Sequence, residues 1–433
     1  MRNFILFFGW LLLALTACRK EADVAPAETS RERNLREVLR IAREGAAMLE
    51  DSETTRAAFG RRVDPHGVSC RVSCATRAGE AADTLYYVVN YADEAGFALV
   101  AADERIADRL LAVTEQGRYT AGERSGNDGF DLYVEMLERS LDPSLRDSVL
   151  VRDTTSTVGV MKREERYSAW TTTGPYVKVR WGQGNFGFYV PSLPYNKYCY
   201  NSAGQLCPAG CAAVAVAQIV SYHKKPAGYK ITFDGSNRTK TIDWEALTAR
   251  VGGYSCYWPE TTADDIALLM REIGKRAGMK YTSSLSSTDL QHSRYAFSAL
   301  GYDQNPGRRY TFEDVRKELN AGRPVFMRGD RIEASTNALK GHAWVLDGYK
   351  YRDHIFCDYM EYTDGRREDI RTTTYTEYYL HINWGENGVG NGYFREGVFD
   401  RSKGYEYDTS DNVYTSLDYR YDTAIMTGIW NKK

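Results

Sequence analysis

The chain has 433 residues, with 56 Lys and Arg set against 58 Asp and Glu for a formal net charge of −2. That balance excludes an electrostatic footprint for nucleic acid, and no polybasic stretch supplies one for anionic lipid. The length is ample for two or three domains with a large core, and 32 tyrosines fit an exported, strand-rich protein.

Met1-Arg2-Asn3 precedes an apolar run from Phe4 to Ala17. The run is shorter than the roughly 20 residues of a bilayer span and has the length of a signal-peptide core. It ends Leu15-Thr16-Ala17-Cys18, which resembles the bacterial lipobox. By that resemblance residues 1–17 are a lipoprotein signal peptide, and Cys18 is lipidated, becomes the new N-terminus and holds the chain to a membrane. The alternative is an ordinary signal peptide with a chance cysteine. The expected location is the bacterial cell envelope, periplasm-facing or at the surface, with release after processing as a further outcome.

Residues 18–30 are polar and rich in Ala, Glu and Pro, the composition of a tether. Leu35, Val38, Leu39, Ala42, Ala46 and Leu49 then recur at helical spacing and predict an amphipathic helix. Leu85–Tyr91 and Phe97–Ala102, separated by Asp93-Glu94-Ala95-Gly96, predict a β-hairpin. A strand near Leu110–Val113 and a helix over Phe130–Leu141 complete a small α+β unit spanning 31–150. From 151 to 169 the pattern breaks into Thr, Ser and Gly and then Lys162-Arg163-Glu164-Glu165-Arg166, which reads as a charged, protease-accessible linker.

Beyond it, residues 170–433 carry the chemistry. Cys207-Pro208-Ala209-Gly210-Cys211 turns directly into the apolar run Ala212–Val220, so Cys211 stands at a helix N-terminus. Unpaired N–H groups and the positive end of the helix dipole favour a thiolate there; a packed core cysteine is the commoner alternative. A thiol nucleophile needs an imidazole within hydrogen-bond reach. His66 lies in the N-terminal unit. His223 lies on the same helix as Cys211, about 18 Å away at 1.5 Å per residue, and is expected near the helix-terminal carbonyls before Pro226. His292 reads as an exposed helical position and His354 as part of a charged strand edge. His342, in Gly341-His342-Ala343-Trp344, has small neighbours and a strand to hold it, a rigid mount. His381 competes, with a packed strand histidine as its plainer reading.

The order Trp181-Gly182-Gln183, Pro194-Tyr195-Asn196, Gly210-Cys211 with Ala217-Gln218-Ile219 and Tyr222-His223, Gly341-His342-Ala343 with Asp347-Gly348, and Asn383-Trp384-Gly385 resembles streptopain and its relatives, papain-like bacterial cysteine proteases. The resemblance covers nearly all of the chain beyond residue 175, and Gly96 to Asp103 resembles the family's inhibitory propeptide. It implies that Cys211 is the nucleophile and His342 its proton partner in a thiolate–imidazolium pair. It further implies that Gln183 donates to the developing oxyanion beside the Cys211 N–H, and that Asn383 and Trp384 orient and shield the histidine. A subsite for an apolar side chain two residues from the cut also follows from the resemblance alone. Two departures stand out: Glu386 replaces the second tryptophan of the family's Trp-Gly-Trp, and the segment between Trp181 and Pro194 is longer than usual.

Eight cysteines add a constraint. With Cys18 lipidated and Cys70 and Cys74 in the N-terminal unit, Cys199, Cys207, Cys211, Cys256 and Cys357 make an odd set; two disulfides would leave one free thiol. A metal site from Cys199, Cys207, Cys211 and a histidine lacks the tight paired spacing that zinc knuckles show. Arg328-Gly329-Asp330 invites an adhesion reading, but it follows the apolar Pro324–Met327 and is expected to be a strand end at the mouth of the site.

The expectation is therefore α+β: a papain-like domain, a helical part facing a twisted antiparallel sheet, preceded by a small α+β propeptide domain. Function is expected to be that of a lipid-anchored cysteine endopeptidase made as a zymogen. It would act on protein or peptide substrates with the propeptide as intramolecular inhibitor, without metal or organic cofactor and without nucleic acid. The competing classes are a catalytically idle surface adhesin and an amidase or transglutaminase using the same dyad.

Overall fold

The computed structural model describes residues 32–50, 61–73, 83–104, 106, 109–141, 155–156, 159–184, 195–233, 236–252, 258–333, 338–400 and 421–431. The signal segment, Cys18, the tether, Cys74, Pro194 and Cys256 lie outside them.

The N-terminal unit opens with α1 (Leu35–Glu50), whose buried face of Val38, Ile41, Ala42, Gly45, Ala46 and Leu49 follows the helical period. Strands β1 (Val63–Val72), β2 (Thr84–Tyr91), β3 (Phe97–Ala101) and β4 (Leu110–Thr114) pair in sequence as an antiparallel meander, and α2 (Asp128–Leu141) follows. The predicted helices, hairpin and strand are all present. Asn127 starts α2, its Oδ1 accepting from the N–H groups of Gly129 at 3.0 Å and Phe130 at 3.1 Å, which satisfies two of the helix's orphan donors.

Next come β5 (Thr155–Ser156), β6 (Gly159–Tyr167) and β7 (Thr171–Thr173). Here the structure corrects the expectation of an irregular linker: Gly159–Tyr167 pairs antiparallel with residues 354–362. Its charges find partners on that neighbour, Arg163 gripping Asp358 at 2.6 and 3.1 Å. A run of alternating charge is as suited to a strand between charged neighbours as to solvent.

The C-terminal part contains α3 (Cys211–His223), the hairpin β8 (Gly228–Phe233) and β9 (Ser236–Thr241), α4 (Trp244–Thr248) and α5 (Glu260–Arg276). The short pair β10 (Lys280–Tyr281) and β11 (Ser286–Ser287) leads to α6 (Leu290–Ala299), β12 (Tyr302–Asp303), β13 (Arg308–Arg309) and α7 (Phe312–Asn320). Long strands follow: β14 (Val325–Glu333), β15 (Ala338–Tyr362) and β16 (Arg367–Asn383), then β17 (Gly392–Arg395), β18 (Tyr421–Met426) and β19 (Trp430–Asn431). The fold is thus α+β, as expected, with the helices α3 to α6 gathered on one side of an antiparallel sheet.

That sheet is shared by both parts of the chain. Its order is β1-β2-β3-β4-β17-β16-β15-β14-β18-β13, with Val113 of β4 opposite Tyr393 of β17. Apolar packing crosses the same boundary: α2 buries Phe130, Leu132, Tyr133 and Leu137 in one cluster with Trp344, Trp384 and Phe394. On the other face α1 packs with Tyr379 and Tyr393. A third core surrounds α3.

Candidate active site

Helix α3 is apolar on every side, with each residue from Ala212 to Ser221 buried. Such a helix belongs inside a core, and here it packs against β15, α5 and α6. Its N-terminus is set by Gly210, which holds φ +92° and has no capping side chain. That backbone region suits glycine, and a Cβ there would lie 2.7 Å from Cε of Met279. Cys211 is therefore the first helical residue, half-buried, with its own N–H among those that no carbonyl of the helix can accept.

His342 reaches this thiol from β15, where it stands directly opposite Gly329 of β14. Cys211 and His342 are hydrogen-bonded side chain to side chain. Nε2 of His342 bonds the carbonyl oxygen of Trp384 at 2.8 Å, so Nε2–H donates there and Nδ1 is left for sulfur. Burial pushes the thiol up, but the bond to His342 and its charge, the Ala343 N–H and the nearby Arg328 outweigh it and bring Cys211 below its ordinary value. Burial pushes the imidazole down, yet the thiolate, the Glu386 charge and the Trp384 carbonyl raise it to about 9. Both shifts favour the same species, a thiolate beside an imidazolium.

Two tryptophans hold the ring. Trp344 lies nearly parallel to His342 with centroids 6.2 Å apart at 18°. Trp384 contacts Trp344 at 5.2 Å and donates from Nε1 to the Gly390 carbonyl at 3.1 Å. The Trp384 backbone carbonyl orients the histidine, and its indole packs on Trp344 behind it. Asn383 does not touch the ring. Its Oδ1 accepts from Gln218 Nε2 at 3.0 Å and from the Gly385 N–H at 3.2 Å, while its Nδ2 donates to Val179 O at 2.9 Å. Asn383 fixes the turn that carries the Trp384 carbonyl, one residue removed from the expected contact. Trp344 was legible as the i+2 neighbour of His342 on a strand, since alternate residues share a face.

Gln183 is brought to the site. Its carbonyl accepts from the Ala209 N–H at 2.8 Å, two residues before the nucleophile. Its side-chain amide donates to Oε1 of Glu386 at 2.5 Å. The residue that replaces the family's tryptophan thus engages the glutamine expected to donate to the oxyanion. Burial raises the Glu386 carboxyl and Asp128 adds to this, while His342 and Gln183 pull it down; the net direction is upward.

Part of the N-terminal unit lies against the histidine. A Cβ on Gly129 of α2 would lie 2.6 Å from Cδ2 of His342 and 2.7 Å from Cε3 of Trp384, so only glycine lets the helix lie this close. No sequence signal marked that glycine, because nothing local reveals what a helix start will touch.

The other histidines are placed apart from Cys211. His223 is packed among Tyr222, Tyr302 and Trp430 rather than held at the helix-terminal carbonyls, and burial with Arg323 nearby lowers it to about 4. His354 is buried in the middle of the sheet, not at an edge, 3.1 Å from Glu165 of β6. His292 is a half-exposed position on α6, paired with Asp289 at 2.7 Å. His381 is buried between Asp347 at 2.6 Å and Glu115 at 3.3 Å. Cys199, Cys207, Cys211 and Cys357 are free thiols, so no disulfide forms among these four described residues. Burial raises Cys199 to about 11, with Tyr281 pulling the other way. What distinguishes Cys211 is its helix start and its histidine, not an odd count. Arg328-Gly329-Asp330 lies within β14, paired on both sides, and Arg328 and Asp330 bond each other at 2.8 and 2.7 Å. It is neither a strand end nor a loop tip that could be offered to a receptor.

Residues 189–394 match the family described as Peptidase C10 family. The thiol protease/hemagglutinin PrtT of Porphyromonas gingivalis is 24% identical over 79% of this chain, which spans only 37% of that relative's length. Streptopain of Streptococcus pyogenes is 25% identical over 73% of this chain and 75% of its own. Among solved structures, a prointerpain A fragment of Prevotella intermedia aligns over 84% of this chain and 100% of its own at 20% identity and TM-score 0.47.

Proposed function

We propose that the chain, whose residues 189–394 match the Peptidase C10 family, is a cysteine endopeptidase made as a zymogen, with Cys211 as nucleophile and His342 as proton partner. The observation that carries this is the bonded pair itself, a lowered thiol at a helix start against an imidazole raised to about 9.

The chemistry follows from the geometry. Sγ of Cys211 attacks the peptide carbonyl carbon, and the C=O electron pair moves onto oxygen. The Cys211 N–H and the Gln183 amide are the donors at hand for that oxygen, once Gln183 turns part of its bonding away from Glu386. Collapse breaks the C–N bond as His342 gives its proton to the leaving amine, and a thioester is left on Cys211. Water then attacks the thioester, His342 takes its proton, and the carboxylic acid leaves with the thiolate restored.

Latency is supported by the seating of α2: with Gly129 against His342 and Trp384, a peptide has no room beside the imidazole. Residues 31–150 are the inhibitory unit in this reading, and 151–169 contain the cut that frees 170–433. Export and anchoring rest on the sequence alone. The run Phe4–Ala17 and the lipobox-like end at Cys18 support a lipoprotein of the bacterial envelope.

The test is peptide hydrolysis by the processed wild type and by Cys211→Ala carried through the same processing. Loss of essentially all turnover in the variant is expected. Cleavage retained by Cys211→Ala would overturn the assignment.

A further inference from the structure

One cation of the catalytic sheet is held almost wholly by the N-terminal unit. Arg331 of β14 is only 4% exposed. Its Nη1 bonds Oε1 of Glu135 at 2.6 Å and its Nη2 lies 3.3 Å from Oδ1 of Asp128. Both carboxylates belong to α2, and the Arg331 Nε, also buried, has no hydrogen-bond partner. Burying a guanidinium is costly unless carboxylates meet it. Here the unit that supplies them is the one proposed to leave.

The position of Arg331 ties it to the reacting groups. Gly329 stands opposite His342, and Arg331 is two residues further along the same strand, so the two share a face and are one pleat, about 7 Å, apart. One face of α2 reads this strip in order. Gly129 meets His342, Leu132 lies where a Gly329 side chain would be, and Asp128 and Glu135, two turns apart, close on Arg331. The neighbouring Arg328 cannot take over, because it is closed on Asp330. Lys340, opposite Arg331 on β15, adds positive charge.

We propose that Arg331 is a substrate subsite of the mature enzyme that binds an aspartate or glutamate side chain close to the scissile bond, and that Asp128 and Glu135 of α2 imitate that side chain in the uncut chain. This rests on the zymogen reading, since α2 must leave before a peptide can enter. Departure of α2 leaves a fork of N–H donors beside the cleft, and a carboxylate accepts two of them at once. No bond is made or broken at Arg331; its part is to select and position.

The experiment uses the full chain, matured, against a peptide library carrying Asp or Glu, their amides, or Lys at each position around the cut. The wild type is expected to prefer the acid over its amide at one position by about tenfold in kcat/KM, with the preference shrinking as salt rises. Arg331→Gln should lose that preference, with acid and amide peptides cleaved at equal kcat/KM, and Arg331→Lys, which keeps the charge without the fork, should retain part of it. Should the glutamine variant fail to fold, the wild-type library and the lysine variant still decide. The double variant Asp128→Asn, Glu135→Gln has an unchanged mature sequence, so it should be processed faster and then show the wild-type preference. A wild type without acid preference at any position, or a preference that survives in Arg331→Gln, overturns the subsite. If the uncut chain cleaves as fast as the cut one, the zymogen reading falls as well; activity that requires the cut, without acid preference, removes the subsite alone.

Discussion

The Cys211–His342 pair fixes how activity should respond to pH. Because the imidazole is raised to about 9, the imidazolium persists through neutrality and is lost as pH rises through that value, so kcat/KM should fall on an alkaline limb near 9. The acid limb is protonation of the thiolate, which lies below the ordinary thiol range. Glu386 contributes to the raised imidazole by its charge. Glu386→Gln should therefore move the alkaline limb to lower pH, read from a pH–rate profile; an unmoved limb would mean that Glu386 does not act on His342. Gly210 is the other sensitive residue. Gly210→Ala puts a Cβ at φ +92° and against Met279, and it should cut turnover well over tenfold by displacing the Cys211 N–H, with overpacking and strain of roughly 1–3 kcal/mol showing as a lowered Tm. At this scale the sequence was informative where chemistry depends on local structure. A small-residue turn into an apolar run placed Cys211, and a strand with small neighbours placed His342. Asn383 was misjudged by one residue, because whether a side chain or the next carbonyl faces the ring depends on turn geometry that residue types do not encode. The engagement of Gln183 by Glu386 joins residues 203 apart, beyond any local pattern.

In the proposed zymogen, helix α2 is the element that makes this pair latent. Its period was legible over Phe130–Leu141, but its partner was not, since periodicity reports an apolar face and not what covers it. Gly129→Ala offers a direct probe. The added methyl meets His342 and Trp384 at under 3 Å, so α2 must tilt away, and the uncut chain should gain peptidase activity and mature faster while the mature enzyme, which lacks residue 129, is unchanged. A variant as latent as the wild type would show that α2 does not restrain His342. Strand β6 is the element that the sequence misled on. Lys162–Arg166 was expected to be open to proteases, yet Gly159–Tyr167 lies along β15 with its ion pairs made. A cut within it requires local opening of that pairing first.

In the whole molecule the two parts are continuous, through the β4–β17 pairing and two shared apolar clusters. Separate composition suggested separate units; a sheet running through both is invisible to sequence because β4 and β17 are nearly 280 residues apart. A bare cut in the linker should consequently leave the N-terminal unit bound, so maturation also requires that unit to be displaced or degraded. The boundary also holds a buried charge cluster, in which Glu115 bonds Arg180 at 2.6 Å and lies 3.3 Å from His381. Burial lowers His381, but Asp347 and Glu115 raise it to about 9; burial raises Glu115, but His381 and Arg180 bring it to about 2. The raised histidine contributes fully below its free value near 6.5 and is lost as pH climbs through about 9. The depressed carboxylate contributes above its free value and is lost only as pH falls towards about 2. Size-exclusion chromatography of the nicked protein should therefore show the two parts together at pH 6 and separating towards pH 9.5; equal retention at both would mean that His381 does not secure the boundary. The central claim is that Cys211 is a nucleophile restrained until the N-terminal unit yields. Labelling with a thiol-directed epoxide at neutral pH, before processing and after the N-terminal unit has been removed, followed by peptide mapping, tests it most directly. Stoichiometric label on Cys211 confined to the processed protein is predicted, and label on other cysteines instead of Cys211, or equal label on Cys211 in the uncut chain, would contradict it.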